Sequence, residues 1–123
     1  MSNISEVNMK DKPDAEYPSD RAIGSHLIGR YVICRCTQAG IWAGVVSNIS
    51  GHFCELTEAR RLWRWKSAEN ETTLSGVARF GIVSDLSKIA GPVNVVLTEV
   101  CEYISTSKAA QDSIREQKIH HVE

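Results

Sequence analysis

"RYVICRCTQAGIWAGVVSNI" occupies residues 30–49, and its reading decides the fold. Val32, Cys34 and Cys36 alternate with Tyr31, Ile33 and Arg35, the period of two that sends successive side chains to opposite faces of a strand. The stretch is rich in β-branched and aromatic residues, which suit a pleated surface. "QAG" (38–40) is a short glycine-containing connection of the kind that joins two hairpin strands. "IWAGVVSNI" (41–49) is the return strand, and Gly44 inside it predicts a bend, a bulge or a close backbone approach. A second turn, "SG" (50–51), leads to a third strand, "HFCELT" (52–57), and "ARRLWRWK" (59–66) reads as a fourth.

Beyond this meander lies an acidic loop, "SAENE" (67–71), and then "TTLSGVARFG" (72–81), which predicts a helix of about two turns. Thr72 or Thr73 suits its cap, Leu74, Val77 and Ala78 share a face, and Gly81 suits its stop. Residues 82–92 read as irregular or briefly helical. "VNVVLTEVCEYIS" (93–105) is the longest strand signal, and "TSKAAQDSIREQK" (106–118) predicts a terminal helix capped by Ser105, Thr106 or Ser107. At the other end, residues 1–20 carry five acidic residues against two lysines, with two prolines and few bulky apolar side chains. They are expected to form a flexible acidic arm. Residues 21–123 then form a single domain, entered through a short helical turn at 21–28 capped by Ser19 or Asp20. The expected fold class is α+β: a small, strongly bent five-stranded antiparallel β-barrel with a helical insertion and a C-terminal helix. Closure would remove the exposed edges of so short a sheet. The spacing of Gly29, Val32, Gly40, Gly44, Val46 and Leu56 is similar to that of SH3-like and Sm-like small barrels, a fold analogy that carries no function.

A chain of 123 residues predicts one domain, and oligomerisation is a natural source of added stability at this size. The net charge of −1 argues against whole-molecule attraction to nucleic acid or an anionic membrane, so any anion site must be local. No apolar run approaches a membrane span, and the polar N-terminus does not read as a signal peptide. The cysteines Cys34, Cys36, Cys54 and Cys101 read as reduced thiols, small and buried. The weighed alternative is a zinc site using Cys34, Cys36 and Cys54 with His52 or Cys101, but the C-x-C spacing does not match a zinc knuckle. No metal and no cofactor are expected.

"AGIWAG" (39–44), "EARRLWRW" (58–65) and the closing "VNVVLTEVCEYISTSKAAQDSI" (93–114) resemble a family of small tailed-phage and prophage proteins with an A-R-R-[IL]-W-x-W motif. The likeness covers about residues 29–117. The chain departs from the pattern at Cys36, where threonine is usual, and between the inserted helix and the last strand. The resemblance implies phage origin and expression in the cytoplasm of the infected bacterial host; it implies no reaction.

Catalytic signatures are missing: there is no G-x-S-x-G, H-E-x-x-H, P-loop or G-x-G-x-x-G. His52 and Cys54 share a strand face, but nothing nearby is placed to orient the imidazole. No enzyme is expected. The unusual chemistry lies in "ARRLWRWK". A regular strand puts Arg61, Trp63 and Trp65 on one face and Arg60, Leu62, Arg64 and Lys66 on the other. In one reading Trp63 and Trp65 fill the barrel or an oligomer interface, and the arginines pair with Glu55, Glu58, Glu69 or Glu71. In the functional reading Arg60 and Arg61 hold phosphates, because guanidinium forks match phosphate oxygens. Trp63, Trp65 or Trp42 then stacks on a base. Arg79 and Phe80 repeat the pairing, although Arg79 also suits the negative end of its helix. Positive charge concentrated in one octapeptide favours a small ligand over a long strand. The phage context and the Arg/aromatic chemistry together resemble those of phage-encoded anti-defence sponges, and by that analogy the expected function is that of such a sponge. It would bind and sequester a small anionic nucleotide immune signal, a cyclic oligonucleotide or cyclic-ADP-ribose type, without cleaving it. The alternatives are a small-barrel single-stranded RNA- or DNA-binding protein and a host-protein-binding module. A homo-oligomer held by the last strand or terminal helix is expected.

Overall fold

The structure is a computed structural model that describes residues 23–121. The acidic segment 1–20, with its Ser19 or Asp20 cap, lies outside the described residues. A 3-10 turn, Ser25–Leu27, follows Gly24 and buries Leu27 in the core.

Three strands then form the antiparallel meander: β1 (Tyr31–Cys36), β2 (Gly40–Ser50) and β3 (Phe53–Arg64). The expected third and fourth strands are one. Glu58 takes the left-handed region at φ 53, and the β2–β3 register jumps there, from Arg60 opposite Ala43 to Thr57 opposite Val45. The chain therefore passes residue 58 through a bulge and not a turn. The extra residue also switches faces, so Cys54, Leu56 and Ala59 share one side while Leu62 takes the other.

Helix α1 (Leu74–Phe80) is capped by Thr73, whose side chain accepts from the Gly76 N–H, and it stops at Gly81. After a 3-10 turn, Ser84–Leu86, come β4 (Lys88–Ile89), β5 (Val93–Leu97), β6 (Val100–Ser105) and α2 (Lys108–Glu116). β5 pairs with the first half of β3 and β4 with its end, whereas β6 pairs with β1 at the opposite edge. The predicted single strand 93–105 is thus two strands. It leaves one sheet edge after Leu97, crosses at Thr98–Glu99 and joins the other edge. Hydrogen bonds from the Val100 N–H to the His52 carbonyl (3.1 Å) and from the Thr37 N–H to the Glu99 carbonyl (3.2 Å) anchor the crossing. No ladder joins β5 to β6 among the described residues, so the sheet has six strands and is not closed into a barrel. One straight strand cannot pair with both edges, and the bend has to be crossed by breaking the ladder.

Both faces of the bent sheet are buried. Val32, Cys34, Val46, Cys54 and Leu56 pack inside the bend. Tyr31, Ile33, Leu62 and Ile89 pack against Val77 of α1 and Ile114 of α2 on the other side. Each large aliphatic side chain so buried contributes about 1.5–3 kcal/mol. Ser107 joins the two helices. Its hydroxyl oxygen accepts from the Ala110 N–H (3.1 Å) at the start of α2, while the same hydroxyl donates to the Arg79 carbonyl (2.6 Å) at the end of α1. One side chain thereby satisfies orphan groups of two helix ends.

Candidate functional site

The two neighbouring arginines of "ARRLWRWK" have opposite fates, because alternation after the bulge turns them to opposite faces. Arg60 is only 4% exposed. Its Nε donates to the Ala90 carbonyl (2.7 Å), and its Nη1 donates to the carbonyls of Ile114 (2.7 Å) and Gln117 (2.7 Å). These last two are carbonyls at the C-terminal end of α2, where a cation also complements the helix dipole. Burial pushes the Arg60 pKa down, with nearby Tyr31 acting in the opposite sense. Arg60 was a predicted phosphate ligand. The structure instead engages its Nε and Nη1 with carbonyls and buries its Nη2 without a partner.

Arg61 lies on the other face, half-buried. Its Cζ stands 4.3 Å from the Trp63 ring centroid, and its Nη2 lies 3.0 Å from where a Cβ on Gly40 would be. The guanidinium therefore occupies a slot between the indole and the Gly40 backbone. Trp63 is 63% exposed. Regular alternation predicts Trp65 on this face as well, and the structure corrects that. A second register irregularity, between Leu62 and Arg64 against β4, returns Trp65 to the helix-side core beside Leu62. Trp42 packs inside the bend and donates its indole N–H to the Ala39 carbonyl (2.9 Å). Arg79 stacks on Phe80 at 4.6 Å in the last turn of α1. No hydrogen bond, ion pair or cation–π contact among the described residues joins this pair to Arg61–Trp63.

A cluster of a different composition forms at the end of β3. Arg64, Trp65 and Lys66 line a cleft of about 390 Å³ together with Asp85, Leu86 and Lys88. The Lys66 N–H donates to the Ser87 hydroxyl (3.1 Å), and the Val83 N–H donates to the Lys66 carbonyl (2.8 Å). These bonds hold the 82–88 segment alongside the end of β3. Arg64 and Lys88 are directly opposed in the β3–β4 register. Opposed like charges on paired strands destabilise by roughly 0.2–1 kcal/mol. A bound anion relieves that repulsion. Sequence reasoning puts Arg64 and Lys66 on the face of Arg60 and Leu62 without assigning them a ligand, and it misses Lys88 and Asp85. Only the short β4 ladder and the backbone bonds of Lys66 bring those two to the site, and no local pattern announces them.

A larger cavity, about 1050 Å³, lies elsewhere, along the open seam between β6 and the start of β3. Its walls are mainly apolar, with Leu27, Phe53, Val100 and Tyr103, and its charged side chains are Glu99 and Glu102. Two carboxylates and no lysine or arginine make it a poor anion site. Cys34 and Cys54 meet inside the bend. Their mutual hydrogen bond pushes the Cys34 thiol up and pulls the Cys54 thiol down. Cys34, Cys36 and Cys54 are buried and Cys101 is exposed. No group of three or more His, Cys, Asp or Glu side chains suited to a metal ion forms among the described residues. No described helix is long and apolar enough to cross a membrane.

What the geometry defines is a small α+β domain, an open antiparallel sheet with two helices, carrying a cationic cleft beside an exposed Arg–Trp stack. The chain belongs to the family of a domain of unknown function, DUF6948, whose sequence profile matches residues 29–114. No curated protein and no solved structure shows a match to the chain.

Proposed function

We propose that the protein binds a small anionic nucleotide in the cleft between β3 and β4 and holds it without turning it over. The observation that carries this reading is the opposed pair Arg64 and Lys88, with Lys66 nearby and Trp65 in the wall. Guanidinium and ammonium groups bind phosphate oxygens by charge-assisted hydrogen bonds. Stacking on an indole adds about 1–3 kcal/mol per base. The cleft volume falls in the range of small-ligand sites. Of the residues expected from sequence, Trp65 lines the cleft. Arg61 and Trp63 stand on the same strand just before it, and Arg79 and Phe80 belong to the helix layer. In the setting implied by the phage-like sequence, an infected bacterial cytoplasm, the ligand is a cyclic oligonucleotide or cyclic-ADP-ribose type immune signal, and binding blocks defence by sequestration.

Calorimetry with cyclic dinucleotides, cyclic trinucleotides and cyclic ADP-ribose tests this. At least one is expected to bind. The double charge reversal Arg64→Glu with Lys88→Glu should weaken it about a hundredfold or more while leaving the melting temperature near that of the parent. A parent protein that binds none of them, or a variant that binds equally well, overturns the reading. The exposed Trp63 with its stacked Arg61 favours a second reading, a surface for single-stranded nucleic acid or a host protein. Oligonucleotide affinity falling steeply with salt would select the nucleic-acid form of that reading. The proposal includes a homo-oligomer. It is supported by the exposed Phe53 and Val96, which line one shallow depression between β3 and β5. Light scattering that finds only monomer at working concentration removes this part.

A further inference from the structure

Asp85 is out of place in a cleft suited to phosphate. It sits in the 3-10 turn Ser84–Leu86 and lines the same cavity as Arg64, Lys66 and Lys88. Among the described residues no ion pair ties it to any of the three. It is not spent in a direct ion pair with the cations, and a carboxylate repels the phosphate that the cations attract. A different part of the ligand has to meet it.

An ionised carboxylate only accepts hydrogen bonds, through two oxygens held in one plane. Its complement is a flat group with two adjacent N–H donors. Guanine presents these on its Watson–Crick edge as the ring N1–H and the exocyclic N2 amine. Adenine and cytosine set one amine beside a ring acceptor whose lone pair opposes the carboxylate. Uracil offers a single N–H between two carbonyls. Two apolar side chains line the same cleft: Trp65, half-buried, and Leu86, which is 55% exposed. A base lying between them covers Leu86 and brings its edge to Asp85.

We infer that the cleft takes a guanine nucleotide, with Asp85 reading the base edge, Trp65 and Leu86 flanking the ring, and Arg64 with Lys88 on the phosphate. This rests on the function proposed above and narrows its ligand to guanine-bearing cyclic oligonucleotides, since the adenine of a cyclic-ADP-ribose type does not complement Asp85.

The test is calorimetry with GMP, IMP, AMP and 2′-deoxy-GMP on the full chain and on Asp85→Asn. The parent should bind GMP about tenfold or more tighter than IMP, which lacks the N2 amine, and tighter still than AMP. Deoxy-GMP should stay within about threefold of GMP, because the acid reads the base and not the ribose. In Asp85→Asn the preference for GMP over AMP should collapse, while AMP holds or tightens because a repelling charge is gone. Equal GMP and AMP affinity in the parent overturns the guanine assignment and leaves the nucleotide cleft standing. A loss on removing the 2′-hydroxyl with no preference among bases assigns Asp85 to ribose and overturns it likewise. No binding of any of the four overturns the assignment, and the calorimetry with cyclic ligands then decides whether the nucleotide reading falls with it.

Discussion

Replacing Arg60 with alanine is expected to destabilise the domain by about 3–5 kcal/mol, because it strands buried carbonyls and leaves a cavity. For a domain of this size that lowers the melting temperature by roughly 15 °C or more. The guanidinium bridges three parts of the chain, namely its own strand β3, the Ala90 carbonyl after β4 and the last carbonyls of α2. Arg60→Lys should recover less than half of the loss. One ammonium does not span acceptors that Nε and Nη1 reach from different sides. Arg61→Ala, by contrast, removes a half-exposed stack on Trp63 and should cost under about 1 kcal/mol. Thermal and urea unfolding followed by circular dichroism measure both, and amide exchange in α2 should quicken in Arg60→Ala. An Arg60→Ala variant that melts within about 3 °C of the parent would falsify the account of Arg60 as the clasp of α2. A phosphate ligand would then again be its best role.

Much of the fold is legible because its signals are local. The alternation of 31–36, the glycine turn at 38–40, the Thr73 cap and the Gly81 stop each depend on neighbours a few residues away, and the structure has each of them. Ser107 was one of three candidate caps for α2, and its hydrogen bonds choose it. What sequence reading missed is set by distant pairing. "VNVVLTEVCEYIS" has continuous strand propensity, and only its two different partners, β3 and β1, break it at Thr98–Glu99. β4 is two residues long and exists because the end of β3 pairs with it. Glu58 in the left-handed region has no sequence mark, since asparagine or glycine is the usual occupant.

The site shows the same division more sharply. The residue types that suit an anionic, flat ligand are visible in "ARRLWRWK", but their faces are not. Each irregularity in β3 reverses the parity of everything after it. One at Glu58 sends Arg60 to the α2 carbonyls and Arg61 to the Gly40 slot. One between Leu62 and Arg64 parts Trp63 from Trp65. Identical side chains at adjacent positions thus acquire a structural role and a surface role, and no count of charges distinguishes them.

Gly44 is where that parity is held, and substitutions there should be costly. It is buried in β2 opposite the Glu58 bulge, and a Cβ on it would lie 2.9 Å from the Thr57 carbonyl oxygen and 3.0 Å from the Ala59 Cα. Both are backbone atoms, so no side chain can turn aside to make room. β2 and β3 would have to separate, or the bulge would have to move. Gly44→Ala is expected to cost about 2–3 kcal/mol and Gly44→Val more, with a fall in melting temperature of roughly 10 °C or more for the alanine. A displaced bulge also misaligns Arg60 with α2. Gly44→Ala and Arg60→Ala should therefore couple, and the double variant should lose less than the sum of the two singles. Gly51 supplies the control. It has φ 60 with nothing within 4 Å of a Cβ, so Gly51→Asn, which tolerates the left-handed region, should cost under about 1 kcal/mol. Equal losses at Gly44 and Gly51 would mean that close strand approach is not what residue 44 provides. Strict additivity with Arg60→Ala would mean that the bulge does not set the register on which the clasp depends.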